Sequence, residues 1–467
     1  MITLFFDLKS KIPLYEQLYN HVKVAIENNE LKANEKLPSK RKLAAHLKVS
    51  VITIESAYNQ LMAEGYIKSI PKSGFYVLPY IRINPIKKSK TVPLMRKQNS
   101  ETTYEIDFRT NQIDAENFPY AKFSKIERDL FLYSYSETIN QTDYLGLYSL
   151  REKIAELLYE YRGIETNPES IVVGSGSEYL ISLLVLLLGR DNTYGVEEPG
   201  YLKNYRLYND YGAKAKTIGL DNDGIDLKQL EDANIIHVTP SHQFPKGIVT
   251  PIARRIELLN WAYEKDNRYI IEDDYDSEFR FSGNPIPAMK GMDSLDKVIY
   301  MNSFSKSIAP SLRISFMVLP DKLMNRYHKS YSYFSCSVPV ITQMVLEKFI
   351  EDGEYERHLN RMKNIYKQKR DQLIECLKTS NFSDKIEIIG EEAGLHFLVK
   401  INTSTKLSRI IEAAKSYSVR VYGINEYCLN KTQKQPEKII ILGYSHLKKV
   451  DFIKAINSLE KAWDNLL

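Results

Sequence analysis

Lys306 closes the run Ser303-Phe304-Ser305-Lys306, directly after an apolar stretch from Val298 to Met301. Upstream, Tyr269 to Ile271 runs into Glu272-Asp273-Asp274-Tyr275, and Ile171 to Val173 runs into Gly174-Ser175-Gly176-Ser177. A lysine amine can capture a carbonyl as a Schiff base. A carboxylate such as Asp273 can hold a pyridine nitrogen protonated, and a phenol such as Tyr275 can hydrogen-bond a ring oxygen. The Gly176-Ser177-Glu178 turn opens a helix, whose amides and positive end suit a phosphate. Arg313, seven residues after Lys306, adds charge, and Tyr201 in Glu198-Pro199-Gly200-Tyr201 offers an aromatic face. Together these meet the demands of pyridoxal 5'-phosphate. Each has a plainer reading alone: a solvated lysine, an acidic turn, a flexible Gly-Ser loop. Their conjunction and order carry the reading.

The elements that must position these groups are short apolar runs alternating with helical patterns, the mark of an α/β fold with a parallel sheet flanked by helices. The clearest strands are Ile171 to Val173, Ile235 to Val238, Tyr269 to Ile271 and Val298 to Met301. Each ends in a polar cluster, the second in Thr239-Pro240-Ser241-His242, and open α/β sheets bind ligands outside the carboxyl ends of their strands. Beyond about residue 320, strands near Gly394 to Ile401, Val419 to Tyr422 and Ile439 to Leu442 predict a smaller α+β lobe. The most apolar run, Tyr179 to Leu188, is about half the length of a membrane span and reads as a core helix.

Charge divides the 467 residues differently. The chain carries 64 Lys+Arg against 59 Asp+Glu, net +5. Residues 1–80 hold 11 basic and 7 acidic side chains, residues 81–105 hold 6 and 2, and the remainder 47 and 50. A cationic first quarter on a slightly anionic body points to a polyanion partner at one end. At 43% hydrophobic and 26% charged, the composition excludes a chain disordered throughout. Cys336, Cys376 and Cys428 are far apart, with no CxxC and no paired histidines nearby. That speaks against a disulfide framework or a metal site and for a reducing cytoplasm. The start, Met1-Ile2-Thr3-Leu4, lacks the pattern of a secretion signal.

Residues 1–80 read as three helices and a hairpin. Leu14, Leu18, Val22 and Ile26 share one helical face; Ser39 caps a second helix carrying Leu43, Ala44 and Leu47; Ile54, Ala57, Tyr58 and Leu61 line a third, stopped by Gly65. Two β-prone runs flank Pro71-Lys72-Ser73-Gly74. This is a winged helix-turn-helix pattern, in which the third helix presents Ser50 and Thr53 to bases of double-stranded DNA. Lys40, Arg41 and Lys42 would contact phosphates at the groove edge, and Lys72 would do so from the wing tip. A helical dimerisation module with solvated lysines is the alternative. From 81 to 105, prolines, the Lys87-Lys88-Ser89-Lys90 cluster and the absence of a period predict a basic linker, leaving 106–467 as the cofactor-binding body.

Pro38-Ser39-Lys40-Arg41-Lys42-Leu43-Ala44, Val49-Ser50, Ala57-Tyr58-x-x-Leu61-x-x-Glu64-Gly65-Tyr66 and Gly74-Phe75-Tyr76-Val77 resemble the GntR winged-helix repressors nearly motif for motif. Many of those carry a basic residue after the Val-Ser pair, where this chain has Val51. Residues 106–460 resemble the fold-type I aminotransferases, with further matches at Gly146-x-x-x-Leu150-Arg151 and Arg162-Gly163. That resemblance implies that Ser303 and Ser305 flank the cofactor lysine. It also implies that Tyr144 reaches the phosphate of a neighbouring subunit, hence a homodimer with shared sites. Head and body together resemble the MocR subfamily of GntR regulators, and the GabR type in particular. That likeness rests on Ser241-His242-Gln243-Phe244-Pro245-x-Gly247, Tyr269 through Phe279, and Ala393-Gly394-Leu395-His396-Phe397.

Working aminotransferases place Asn-Pro-x-Gly where this chain has Phe244-Pro245-Lys246-Gly247. They also place a carboxylate-binding arginine in the last strand of the small lobe, where Ile441-Leu442-Gly443-Tyr444 has none. GabR-type sequences supply effector-binding arginines at positions held here by Lys203 and Glu426, with Arg206 and Arg420 as nearby cations. The resemblance therefore implies a DNA-binding regulator that senses an amino compound other than γ-aminobutyrate, or the cofactor itself, by aldimine exchange at Lys306. The alternative is an active aminotransferase with an accessory DNA-binding head. No metal and no membrane partner is expected.

Overall fold

The computed structural model describes residues 2–80, 104–110, 112–140, 142–281, 283, 286–429 and 437–467. The chain divides into two compact units, Met1–Ser100 and Glu101–Leu467. The basic linker expected over 81–105, its Lys87-Lys88-Ser89-Lys90 cluster included, lies outside the described residues except for Tyr104 and Glu105.

In the first unit, α1 (Leu14–Glu27), α2 (Lys40–Leu47) and α3 (Val51–Ala63) precede a wing of β2 (Ile67–Ile70) and β3 (Gly74–Val77). Ser39 and Ser50 cap α2 and α3, their hydroxyls accepting from the amides of Lys42 (3.3 Å) and Thr53 (3.1 Å). Such caps satisfy donors that a helix start leaves orphaned, worth about 1 kcal/mol each. Between the two helices Lys48 takes a left-handed conformation, φ 54°. A short strand unmarked in the sequence, β1 (Lys36–Leu37), pairs with β3, giving the order β1-β3-β2. Leu18, Val22, Leu43, Ile54, Ala57, Tyr58, Leu61, Ile67 and Val77 are buried together. The hydroxyl of Tyr58 donates to the carbonyl of Pro38 (3.1 Å), tying α3 to the entry of α2.

The second unit opens with β4 (Ile106–Asp107) and then builds a large sheet from β5 (Ile171–Gly174), β6 (Thr193–Glu198), β7 (Lys214–Asp221), β8 (Gly224–Ile225), β9 (Ile235–Val238), β10 (Tyr269–Asp274), β11 (Val298–Ser303) and β12 (Ser315–Val318). Its order is β5-β12-β11-β10-β9-β6-β7-β8. The sequence predicts a parallel sheet; the structure corrects this to a mixed one. β12 runs antiparallel to both β11 and β5, and β8 turns back on β7. The reason is connection length: residues 304–314 hold only two short helical turns, too little for the crossover that a parallel return needs.

A four-stranded sheet, β13 (Ile386–Ile389), β14 (His396–Ile401), β17 (Ile439–Gly443) and β16 (Tyr422–Gly423), forms the smaller lobe, while β15 (Val419–Arg420) pairs with β4. Helices Glu354–Lys378, Leu407–Ser416 and Lys449–Trp463 pack with it. Among the described residues no helix is long and apolar enough to cross a membrane, and the three cysteines are free.

Candidate functional site

Parallel pairing in register, Ile270 opposite Val298 through Asp274 opposite Asn302, brings the ends of β10 and β11 side by side. Lys306 lies just beyond β11 in the one-turn helix Phe304–Ser307. Burial, opposed by the carboxylate of Asp276, brings its ammonium down from 10.5 to about 7, so near neutrality a large fraction of the amine is uncharged and nucleophilic. Ser303 and Ser305 flank it, both half-buried.

Asp273 is the penultimate residue of β10, before Asp274, and accepts from Nε2 of His237, 3.2 Å away. The hydroxyl of Tyr208 lies 2.8 Å from Nδ1 of the same ring and donates there, which fixes the tautomer with its proton toward Asp273. Behind this pair Asp274 is buried against Arg162 (Nε–Oδ2 2.7 Å) and accepts from the hydroxyl of Tyr300 (2.6 Å), while Arg162 also donates to Ser241 (2.7 Å). The two adjacent aspartates thus face different partners, and the buried pair anchors the strand end that presents Asp273. Burial, helped by Asp276, holds the phenol of Tyr275 protonated well above its ordinary range.

The 174–177 turn leads into helix Ser177–Leu188, with Gly176 at φ 104°. Any Cβ at Gly176 would lie 2.5 Å from Nη2 of Arg313, so glycine lets the guanidinium rest across the turn. Glu178 in the first helical turn is ion-paired with both Lys203 and Arg313, which hold its carboxyl below the usual range, Lys203 most strongly. A carboxylate held between two cations at a helix N-terminus stands in for an anionic ligand. Tyr201 stacks on Phe244, centroids 4.0 Å apart and 9° between planes, with Tyr275 edge-on at 5.5 Å. An uncharged amine, a histidine-backed carboxylate, a protonated phenol and an anion cradle fit pyridoxal phosphate.

The remaining expected residues are spread out. The hydroxyl of Tyr144 bonds to His328, and its ring stacks on Tyr327. Lys203 is committed to Glu178, and Arg206 is exposed on helix Leu202–Asp210. Arg420 pairs with Glu426 (2.9 Å), which also accepts from the amide of Gly423 (3.1 Å). The small-lobe segment carrying Glu426 meets the Tyr201 turn through its backbone: the amide of Gly200 donates to the carbonyl of Tyr427 (3.1 Å) and that of Leu429 to Glu198 (2.6 Å).

In the first unit Lys40 is ion-paired with Glu55 (2.5 Å) and lies 5.6 Å from the ring centre of Phe75, so it braces α2 against α3 and the wing. Arg41 and Lys42 are exposed, as is Lys72 at the wing turn, φ 62°. The hydroxyls of Ser50 and Thr53 are 2.8 Å apart and joined in the α3 cap. Val51 and Ile52 are exposed on the first turn of α3. Sequence reasoning assigned no role to His237, His242 or Arg162. A histidine inside the apolar run Ile235 to Val238 was the available signal for the first.

Residues 14–77 match the bacterial regulatory proteins of the gntR family, and residues 105–433 match aminotransferase class I and II. An uncharacterized HTH-type transcriptional regulator of Bacillus subtilis (strain 168), YhdI, is 38% identical over 473 residues, covering 100% of this chain and 99% of its own. The chain belongs to the MocR-type GntR regulators. A probable rhizopine catabolism regulatory protein, MocR, of Rhizobium meliloti is 29% identical over 98% of this MocR-type chain and 96% of its own. The fold of the body is shared with Pyrococcus horikoshii kynurenine aminotransferase, crystallised with PMP, at a TM-score of 0.67 and 23% identity over 78% of this chain and 92% of that one. The aminotransferase class I and II fold implies pyridoxal phosphate as the cofactor.

Proposed function

We propose that this regulator binds operator DNA through residues 1–80 and holds pyridoxal phosphate on Lys306. Its DNA affinity changes when an amino compound, or the cofactor's own arrival, alters what Lys306 holds. Residues 81–105 serve as the basic linker and 106–467 as the sensing body of a homodimer, with Tyr144 serving the partner's site. The observation that carries this reading is the Lys306 amine, brought down to about 7 by burial just beyond β11, whose end pairs in register with the end of β10 that presents Asp273.

When bound, pyridoxal phosphate supplies an electrophilic carbon that a primary amine can hold reversibly. The chain's residues do the rest. Lys306 is the resident amine, and its low proton affinity lets it be released uncharged. Asp273, oriented by His237, holds a proton on a ring nitrogen. Tyr275, Ser303 and Ser305 line the ring edge, Tyr201 offers a face, and the 176–178 turn with Arg313 takes the phosphate. Lys203, bound to Glu178, and Glu426, bound to Arg420, hold the two positions where GabR-type sequences carry arginine, so that pair of guanidinium clamps for the carboxylate of an ω-amino acid is replaced. The effector is accordingly an amino compound other than γ-aminobutyrate, or pyridoxal phosphate itself. The 198–201 turn and the 424–429 segment of the smaller lobe meet across the site, so exchange at Lys306 biases their packing and, through it, the state of the heads. A spectral titration of the cofactor-loaded protein with a panel of amines, with and without promoter DNA, tests this. An amine that changes the visible band and shifts operator affinity by the same coupling supports it; spectral changes with no effect on DNA binding refute the sensing role.

A further inference from the structure

Tyr275 is held by His242. The imidazole of His242 is buried, with Nδ1 3.0 Å from the Tyr275 hydroxyl and 3.0 and 3.2 Å from the two oxygens of Asp276. A carboxylate only accepts, so Nδ1 carries a hydrogen. That one N–H is shared between Asp276 and the Tyr275 oxygen. Tyr275 therefore cannot donate to the imidazole, and its own O–H is turned elsewhere.

The ring has little room to move. Gly394, φ 76°, crosses it so closely that a Cβ would lie 2.2 Å from Cε1 of His242 and 2.6 Å from Oδ2 of Asp276. His396 packs beside it, ring centres 5.3 Å apart, and its Nε2 donates to the Pro245 carbonyl (3.1 Å). Burial, then the neighbouring His242, keeps His396 uncharged down to about 4. Nε2 of His242 is buried with no partner among the described residues.

Phe244 stacks on Tyr201, and its side chain has no polar atom to offer a ring oxygen. We infer that His242 supplies the missing positioning: oriented by Asp276, it fixes Tyr275 with its phenol hydrogen aimed at the ring oxygen of the cofactor. This rests on the reading of the site as a pyridoxal phosphate site. The groups facing the imidazole are Asp276 and Tyr275 from the segment after β10 and His396 from β14, with Lys306 close enough to act on Asp276 and His396.

The test uses side-chain geometry. An asparagine amide reaches the place of Nδ1, and a glutamine amide that of Nε2. The visible absorbance of the cofactor-loaded protein is titrated with pH for wild type, His242→Asn, His242→Gln, Tyr275→Phe and the His242→Gln/Tyr275→Phe double variant. A donor on the ring oxygen favours its charged form, so losing a well-aimed donor raises the midpoint. His242→Gln should raise it by ~1 pH unit, in the same direction as Tyr275→Phe, and should add nothing in the Tyr275→Phe background. His242→Asn should stay near wild type. An unshifted His242→Gln, an additive double variant, or equal shifts in the Asn and Gln variants would each overturn the inference. A wild-type protein with no visible band would refute the site reading instead.

Discussion

Replacing Lys306 with methionine removes a group whose proton affinity differs sharply between folded and unfolded chain. The unfolded value is near 10.5 and the folded one about 7. At 1.36 kcal/mol per pH unit this gap is worth up to ~5 kcal/mol, fully expressed only above the unfolded value. The sign is fixed by linkage. Between pH 7 and 10.5 the unfolded chain binds more protons at this position than the folded one, so stability rises with pH across that window. From pH 7 to 9 the limit is ~2.7 kcal/mol, and partial solvent access at a half-buried side chain brings the expectation to about 1–2 kcal/mol. The assay is urea unfolding of the cofactor-free chain at pH 7, 8 and 9 for wild type and Lys306→Met. Wild type should gain about 1–2 kcal/mol relative to the variant, because every other titrating group is common to both. Parallel curves would show that the lysine is not held uncharged, and the argument for a poised amine would fail.

Further consequences follow from the cradle, the head and the strand anchor. Arg313→Ala should weaken pyridoxal phosphate binding at least tenfold, since charge-assisted bonds contribute about 1.5–3 kcal/mol; equilibrium dialysis measures it. Arg41→Ala and Lys42→Ala should each weaken promoter binding and lower the slope of log affinity against log salt by about 0.9, read by fluorescence anisotropy at several salt concentrations. Lys40→Ala should lose affinity with a smaller slope change, because its ammonium is committed to Glu55. Arg162→Leu leaves Asp274 buried without its cation and should destabilise the body by about 3–5 kcal/mol in urea unfolding.

Local chemistry was the part of the structure most legible in the sequence. Ser39 announces its helix because a cap needs only a hydroxyl and the following amides, whereas Ser50, read as a base contact, caps α3 in the structure. The ends of β5, β9, β10 and β11 were visible because each apolar run stops at a polar cluster. Less visible was anything decided by return paths or pairing across distance. Ser315–Val318 is an apolar run like its neighbours, and only the short connection from Lys306 makes it antiparallel. Lys203, Glu426 and Arg420 have the types and positions of ligand contacts, yet each finds a partner of opposite charge within the chain. His242 meets Tyr275 because the 243–248 loop closes on itself, the amide of Gln243 donating to Ile248 (2.8 Å), while Gly394 crosses from the other lobe. No spacing in the sequence encodes that meeting.

The central claim is that Lys306 is the resident amine for pyridoxal phosphate, and the most direct measurement is the visible spectrum of the purified chain with pyridoxal phosphate, wild type against Lys306→Ala. The account predicts a lysine-dependent band in wild type that is absent from the variant, with both proteins folded by circular dichroism. The same band in both, or in neither, would contradict it.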